Sequence, residues 1–207
     1  TGAGNPGAYM ERFKAAGILV IPVVAAPILA KHLERIGADA VIAEGCESGG
    51  HIGEMTTMTL IPQTVDAVDI PVIAAGIADH RQMQAVLTLG ACGAQIGTAL
   101  LAAEECPIHE NYKEAVLKAQ GSDTIVTGRI GGTPVRVLKN QMSREYVKRE
   151  KAGEDRMELE KFTLGSLRRA VFEGDTKNGS LMAGQGCGQL KEIRPVAEIL
   201  AEICRGI

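Results

Sequence analysis

Three short runs of this sequence combine glycine with groups able to do chemistry. In the first, Glu44-Gly45-Cys46-Glu47-Ser48-Gly49-Gly50-His51-Ile52-Gly53, paired glycines stand beside carboxylates, a hydroxyl and an imidazole. Glycine lets backbone N–H groups approach a flat or anionic ligand, and an imidazole exchanges a proton near neutral pH. Taken alone, His51 reads either as a proton-transfer residue or as a plain loop histidine. Glu44 has three readings: it accepts from a cofactor ring N–H, it orients His51, or it bonds local backbone. The other two runs, Ala74-Ala75-Gly76-Ile77-Ala78-Asp79 and Gln95-Ile96-Gly97-Thr98, place glycine amides and a threonine hydroxyl beside helix starts. Such donors hold a phosphate without a basic residue, although both runs also read as ordinary βα turns. Cys46 precedes His51 by five residues, which does not establish a nucleophile and base in contact, so it reads as packing. His32 lies within a predicted helix and His80 and His109 at helix beginnings, where surface or capping roles are expected. No Walker A lysine, GxSxG serine, HExxH pair or GxGxxG loop after a strand occurs, and no metal-ligand set is expected.

The elements that must position these groups follow from apolar patterning. Segments 18–24, 39–45, 70–76 and 93–100 are apolar and β-branched without polar alternation, as strands covered on both faces are. Helical periods lie between them. Leu29, Leu33 and Ile36 are followed by Gly37 as a stop; Met83, Val86 and Leu87 follow Asp79 as an N-cap and end at Gly90. A weaker helix is predicted over Thr59–Val68, with Pro62 in its first turn. The resulting β-α-β-α-β-α-β order requires parallel strands, in either an open doubly wound sheet or a closed (β/α)₈ barrel. Beyond Leu100 helices are expected over 111–120 and 134–150. The charged run 148–161 reads as a solvated helix face or linker. Leu167, Ala170 and Val171 mark a short helix ending at Gly174. A glycine-rich loop over 178–188 then leads to a last helix carrying Ile193, Val196, Leu200 and Ile203.

Composition narrows the function classes. The chain has 207 residues, 45% hydrophobic and 23% charged, with 22 Lys plus Arg against 25 Asp plus Glu. A net charge of -3 lacks the basic footprint of a nucleic-acid binder. Glycine numbers 25 while Trp is absent and only three Tyr and three Phe occur, so backbone approach is favoured over stacking on aromatic side chains. Five scattered cysteines without a CxxC pair fit reduced thiols and a cytoplasmic location. No apolar run approaches the ~20 residues that span a bilayer. The opening Thr1-Gly2-Ala3-Gly4-Asn5-Pro6 has neither Met nor a leader, and reads as the start of a fragment.

The run Gly37–Gly53, GADAVIAEGCESGGHIG, with TGAGNP before it and IPVIAAGIAD, IGT and SLMAGQ after it, resembles the FMN-dependent enoyl-acyl carrier protein reductase II family. That family belongs with the nitronate monooxygenases, or 2-nitropropane dioxygenases. The resemblance implies a TIM (β/α)₈ barrel of which this chain holds strands five to eight plus a C-terminal helical layer. Residues 1–104 would be the C-terminal half of the flavin-binding barrel, and 105–207 helices and a glycine-rich loop packed on it. It implies reduction of a trans-2-enoyl thioester on acyl carrier protein with NADH through FMN, stimulation by a monovalent cation, and a homodimer. His51 matches the family's catalytic histidine. Glu44, Ser48, Gly49, Gly50, Ala75, Gly76, Gly97, Thr98 and Gln185 match its cofactor-binding positions, and Met182 to Gln185 a loop at the flavin and substrate mouth. Nitronate oxidation is the alternative activity, and a non-catalytic barrel fragment another. Ile52, where the monooxygenases tend to carry Arg, favours the reductase. The chain departs from the family in reading AAGIAD where AAGGIAD is usual, which would displace the following amides by about 3.8 Å along the chain.

Overall fold

The computed structural model describes every residue except Ala3 and Gly132; Ala3 of the TGAGNP run therefore lies outside the described residues. In chain order the elements are α1 (Gly7–Ala15), β1 (Val23–Val24), α2 (Pro27–Arg35), β2 (Val41–Glu44), β3 (Gly50–His51), α3 (Thr57–Val65), β4 (Val72–Ile77), α4 (His80–Thr88) and β5 (Gly93–Ile96). These are followed by α5 (Glu110–Lys118), β6 (Thr124–Thr127), β7 (Val135–Leu138), α6 (Gln141–Lys151), α7 (Arg156–Thr163), α8 (Ser166–Glu173) and α9 (Val196–Ile203).

Strands β1, β2, β4 and β5 form one parallel sheet in that spatial order. Each strand is added beside its predecessor, with no reversal of the kind that defines a doubly wound sheet. With right-handed crossovers such an order keeps the helices on one face. The sheet is α/β and parallel, as the apolar runs require, but the described residues do not close a barrel. Burial alternates along β2, with Val41 and Ala43 fully buried and Ile42 and Glu44 half-buried. The buried face joins Leu33 of α2, Leu60 and Ile61 of α3 and Val86 of α4 in the main core.

Several expectations needed adjustment. The first strand keeps only Val23–Val24 of 18–24, because Pro22 has no N–H to give, although its carbonyl still accepts from Ile42 N at 2.9 Å. The third helix begins at Thr57 and ends at Val65, so Pro62 falls in its second turn. Strand β4 carries a bulge: Ala75 pairs with Gln95 but Ile77 with Ile96, and Gly76 between them has φ +95°. The site where one glycine fewer stands than in the family pattern is thus a bulged residue in a conformation that favours glycine.

Pro134–Glu150 is not one helix. Residues 135–138 are strand, and α6 starts only after Asn140, whose side chain accepts from Ser143 N while Ser143 Oγ accepts from Asn140 N. With β6, this strand makes the C-terminal region more than helices and a loop. The three strands pair antiparallel in the order β3-β7-β6, and Met182 adds an isolated bridge to Val137. A second core of Tyr112, Val116, Leu181, Ala183 and Cys187 lies beneath this region, with Tyr112 Oη donating to the Met182 carbonyl at 2.8 Å. The last helix buries Ile199 and Ile203, while Leu200 is exposed.

The Asp79 cap is confirmed. Its carboxylate accepts from Arg81 N and Gln82 N at 3.0 Å each and from Gln189 Nε2 at 3.1 Å. Asp79→Ala leaves these donors without a partner, and urea unfolding of the variant is expected to show a loss of about 1–2 kcal/mol.

Candidate active site

The site is built where the turn between β2 and β3 meets the ends of β4 and β5. Glu47, in that turn, points its carboxylate at the start of α3, accepting from Thr57 N at 3.1 Å and Thr57 Oγ1 at 3.0 Å. A negative charge is favoured at such a helix start. On the other side the Glu47 carbonyl accepts from Gln185 N at 2.8 Å, and Gly184 N donates to Thr98 Oγ1 at 2.9 Å. The segments 45–50, 97–98 and 183–186 are thereby laced together. Contact at Gly49 is so close that a Cβ there would lie 2.6 Å from the Ala183 carbonyl carbon and from Gly184 N.

These segments enclose a cleft of about 300 Å³, at the small end of the range for small-molecule sites. Of the sequence-predicted residues, Glu44, Ser48, Gly49, Gly50, Ala75, Gly76, Gly97 and Thr98 all line it. Gln185 does not: its side chain is exposed, and its neighbours Gly184 and Gly186 form the wall instead. Gln95 of the run 95–98 also reaches the cleft, as does Leu101, for which sequence reasoning had no signal.

His51 is the larger departure. It lines a second cavity of about 330 Å³, together with Val135, Tyr146, Leu167 and others. Gly50 and His51 are successive residues of β3, so they turn to opposite faces of the ribbon. Gly50 faces the first cleft, and His51, paired with Val135, faces the second cavity. The narrow β3–β7 ribbon is the partition, and among the described residues Met182 alone lies on the wall of both spaces.

Two features of the first cleft point to a ligand. Ser48 is 7% exposed, and its Oγ has no hydrogen-bond partner. A buried orphan hydroxyl of this kind calls for an explanation. The Glu44 carboxyl forms no hydrogen bond or ion pair among the described residues, and burial raises its pKa from 4.5 to about 7. It is thus poised between an acceptor carboxylate and a neutral acid. The Cys46 thiol is pushed up, chiefly by burial, which removes it as a ready nucleophile. The remaining histidines have local roles: His109 caps α5, accepting from Asn111 N at 3.1 Å, His32 contacts Asn5, and His80 contacts Arg205.

Comparison with known proteins follows the same lines. Residues 1–206 match the model of the family described as nitronate monooxygenase. The chain belongs to the nitronate monooxygenase family. Its structure is similar to that of FabK from Thermotoga maritima, with a TM-score of 0.94 and 50% identity, covering 98% of this chain and 65% of that one. It is 34% identical over 206 residues to a probable nitronate monooxygenase of Bacillus subtilis strain 168, covering 95% of this chain and 59% of that protein. It is also 42% identical over 134 residues, 64% of this chain and 38% of the other, to the (3aS,4S,5R,7aS)-5-hydroxy-7a-methyl-1-oxo-octahydro-1H-indene-4-carboxyl-CoA dehydrogenase of Rhodococcus jostii strain RHA1. The chain therefore spans less than two thirds of the length of each of these relatives. That family is one of FMN-dependent TIM-barrel oxidoreductases, and among the described residues of this chain no helix is long and apolar enough to cross a membrane.

The residues present fit the flavin. Glycines at 49, 76, 97 and 184 leave stretches of the wall without side chains, the Ser48 hydroxyl is free to bond, and Glu44 can accept from a ring N–H. Because the folded-state pKa of Glu44 exceeds the unfolded value, its contribution to stability is present below about pH 4.5 and is lost as pH rises through about 7. Urea midpoints of the full-length apoprotein at about pH 5 and about pH 8 are expected to fall with pH more steeply than those of Glu44→Gln. Parallel behaviour of the two proteins would show that Glu44 ionises as freely as in water.

Proposed function

We propose that this chain is the flavin- and substrate-binding portion of an FMN-dependent enoyl-acyl carrier protein reductase, which uses NADH to reduce a trans-2-enoyl thioester. The observation that carries the reading is the pair of adjoining cavities. A glycine-walled cleft holds an orphan hydroxyl, and a second space with a histidine on its wall adjoins it at Met182. The likeness to FabK is stronger than that to the probable nitronate monooxygenase, at 50% against 34% identity. The relative named a carboxyl-CoA dehydrogenase adds support for a thioester substrate.

In this reading strands β1, β2, β4 and β5 are strands five to eight of a TIM barrel, residues 1–104 its C-terminal half, and 105–207 the layer packed on it. FMN, when bound, supplies the hydride for the substrate β-carbon. The protein's own contributions are positional and electrostatic. Ser48 Oγ, Thr98 Oγ1 and the amides of the glycine turns would hold the cofactor, with Gly76 and Gly97 as the donors for a phosphate. Glu44 would accept from a ring N–H. His51 polarises the thioester carbonyl or passes the proton that the α-carbon must gain. Val135, Leu167 and the Tyr146 ring exclude water from the acyl chain. Acyl carrier protein as the carrier, a homodimer, a cytoplasmic setting and stimulation by a monovalent cation complete the proposal.

The family name favours one second reading, oxidation of nitronates, in which His51 would act as base on a nitroalkane. NADH oxidation by the full-length protein that depends on a crotonyl thioester supports the reductase; activity confined to nitronate and oxygen overturns it. His51→Ala is expected to lower enoyl reduction by about a hundredfold or more while flavin content stays near wild type. Equal loss of both would make His51 a structural residue.

A further inference from the structure

Arg136 lies on neither cavity, yet its surroundings are unusual. It is 7% exposed and sits in the middle strand of the β3-β7-β6 ribbon, paired with Gly50 on one side and Val126 on the other. Directly paired residues of an antiparallel ribbon share a face. Val135, His51 and Thr127 therefore look to the second cavity, and Arg136 looks to the opposite side, under the turn that walls the first cleft.

There the guanidinium meets no carboxylate within ion-pair distance among the described residues. Nε and Nη2 both donate to the Cys46 carbonyl, at 2.9 and 2.8 Å, and Nη1 donates to Thr124 Oγ1 at 2.8 Å. A buried cation without a paired anion is costly, and a neutral donor would suffice to satisfy one carbonyl. Burial chiefly pulls its pKa down, the Arg129 charge adds to this, and Cys46 and Glu47 act against it, but an arginine keeps its charge in any protein setting. The Cys46 amide is also held, donating to the Met55 carbonyl at 2.8 Å. Cys46 is thus clamped at both ends, two residues before the orphan Ser48 hydroxyl.

We propose that Arg136 is a positioning residue. Its guanidinium pins the Cys46 carbonyl from beneath, so that Ser48 and Gly50 face the first cleft while His51 faces the second, and it sets a fixed positive charge behind the wall of the cleft. The proposal rests on the reading of that cleft as the flavin site. A fixed cation there favours the more electron-rich, reduced form of a bound flavin.

The test uses the full-length protein as wild type, Arg136→Gln and Arg136→Lys, followed by circular dichroism, flavin fluorescence titration, flavin midpoint potential and steady-state kinetics. Arg136→Gln is expected to fold, to bind FMN about tenfold more weakly and to lower kcat by about ten- to a hundredfold, with a smaller change in KM. Its midpoint potential moves to more negative values. Arg136→Lys keeps the charge and holds the potential near wild type, but recovers only part of kcat, because an ammonium does not reproduce the planar fork on one carbonyl. The lysine variant also keeps the test decisive if the glutamine variant does not fold. Arg136→Gln losing thermal stability alone, with FMN affinity, potential and kcat unchanged, overturns the proposal. So does Arg136→Lys shifting the potential as far as Arg136→Gln. A wild-type protein that takes up no FMN overturns the cofactor reading first, and the proposal with it.

Discussion

Backbone meets backbone where Gly49 crosses Ala183 and Gly184, and the arrangement of the site depends on that crossing. A Cβ on Gly49 would overlap the facing chain, and one on Gly184 would lie 2.7 Å from the Glu47 carbonyl. Because neither residue has a side chain, the two loops close to hydrogen-bonding range, and Gln185 N reaches the Glu47 carbonyl. That contact brings Gly184 and Gly186 to the cleft wall. It also carries Met182 beside Val137, where the second core and the Tyr112 hydroxyl hold it. The parallel sheet supplies strand ends, but only this crossing gives them a facing wall.

Charges around the crossing are arranged by depth. Glu47 lies at the start of α3, where its carboxylate accepts from the Thr57 amide and hydroxyl. Glu44, at the end of a strand and without such donors, is pushed towards neutrality. Two carboxyls three residues apart in sequence thus have different surroundings: one meets a helix terminus and the other has no such donors. Behind the turn, on the Cys46 carbonyl, lies the Arg136 guanidinium, satisfied among the described residues by carbonyl and hydroxyl oxygens.

Much of this was legible in the sequence wherever structure is local. Strands β2, β4 and β5 were readable because parallel strands covered on both faces are apolar throughout, and α2 and α4 because their stops and the Asp79 cap are written in adjacent residues. Eight predicted cofactor positions line one cleft because they stand at strand ends, where a parallel sheet must gather its loops. What was not legible depends on partners distant in the chain. The side to which His51 turns is decided by the pairing of β3 with β7, and nothing near His51 announces that pairing. Strand β7 itself was hidden because Pro134 and the helix-like residues after Asn140 suggest one continuous helix, and β6 because Thr124-Ile125-Val126-Thr127 is short and bounded by polar turns. Arg136 escaped notice for the same reason: an arginine in an expected helix reads as solvated, and only the ribbon turns it inward.

The bulge at Gly76 has a consequence for how this chain tolerates change in length. An unbulged strand that loses one residue turns every later side chain to the opposite face. In β4, pairing resumes at Ile77, which is 4% exposed and belongs to the main core, and Asp79 still stands at the head of α4. The left-handed glycine therefore acts as a slack link: a gain or loss at this position is confined to the rim, and the helix behind it keeps its phase.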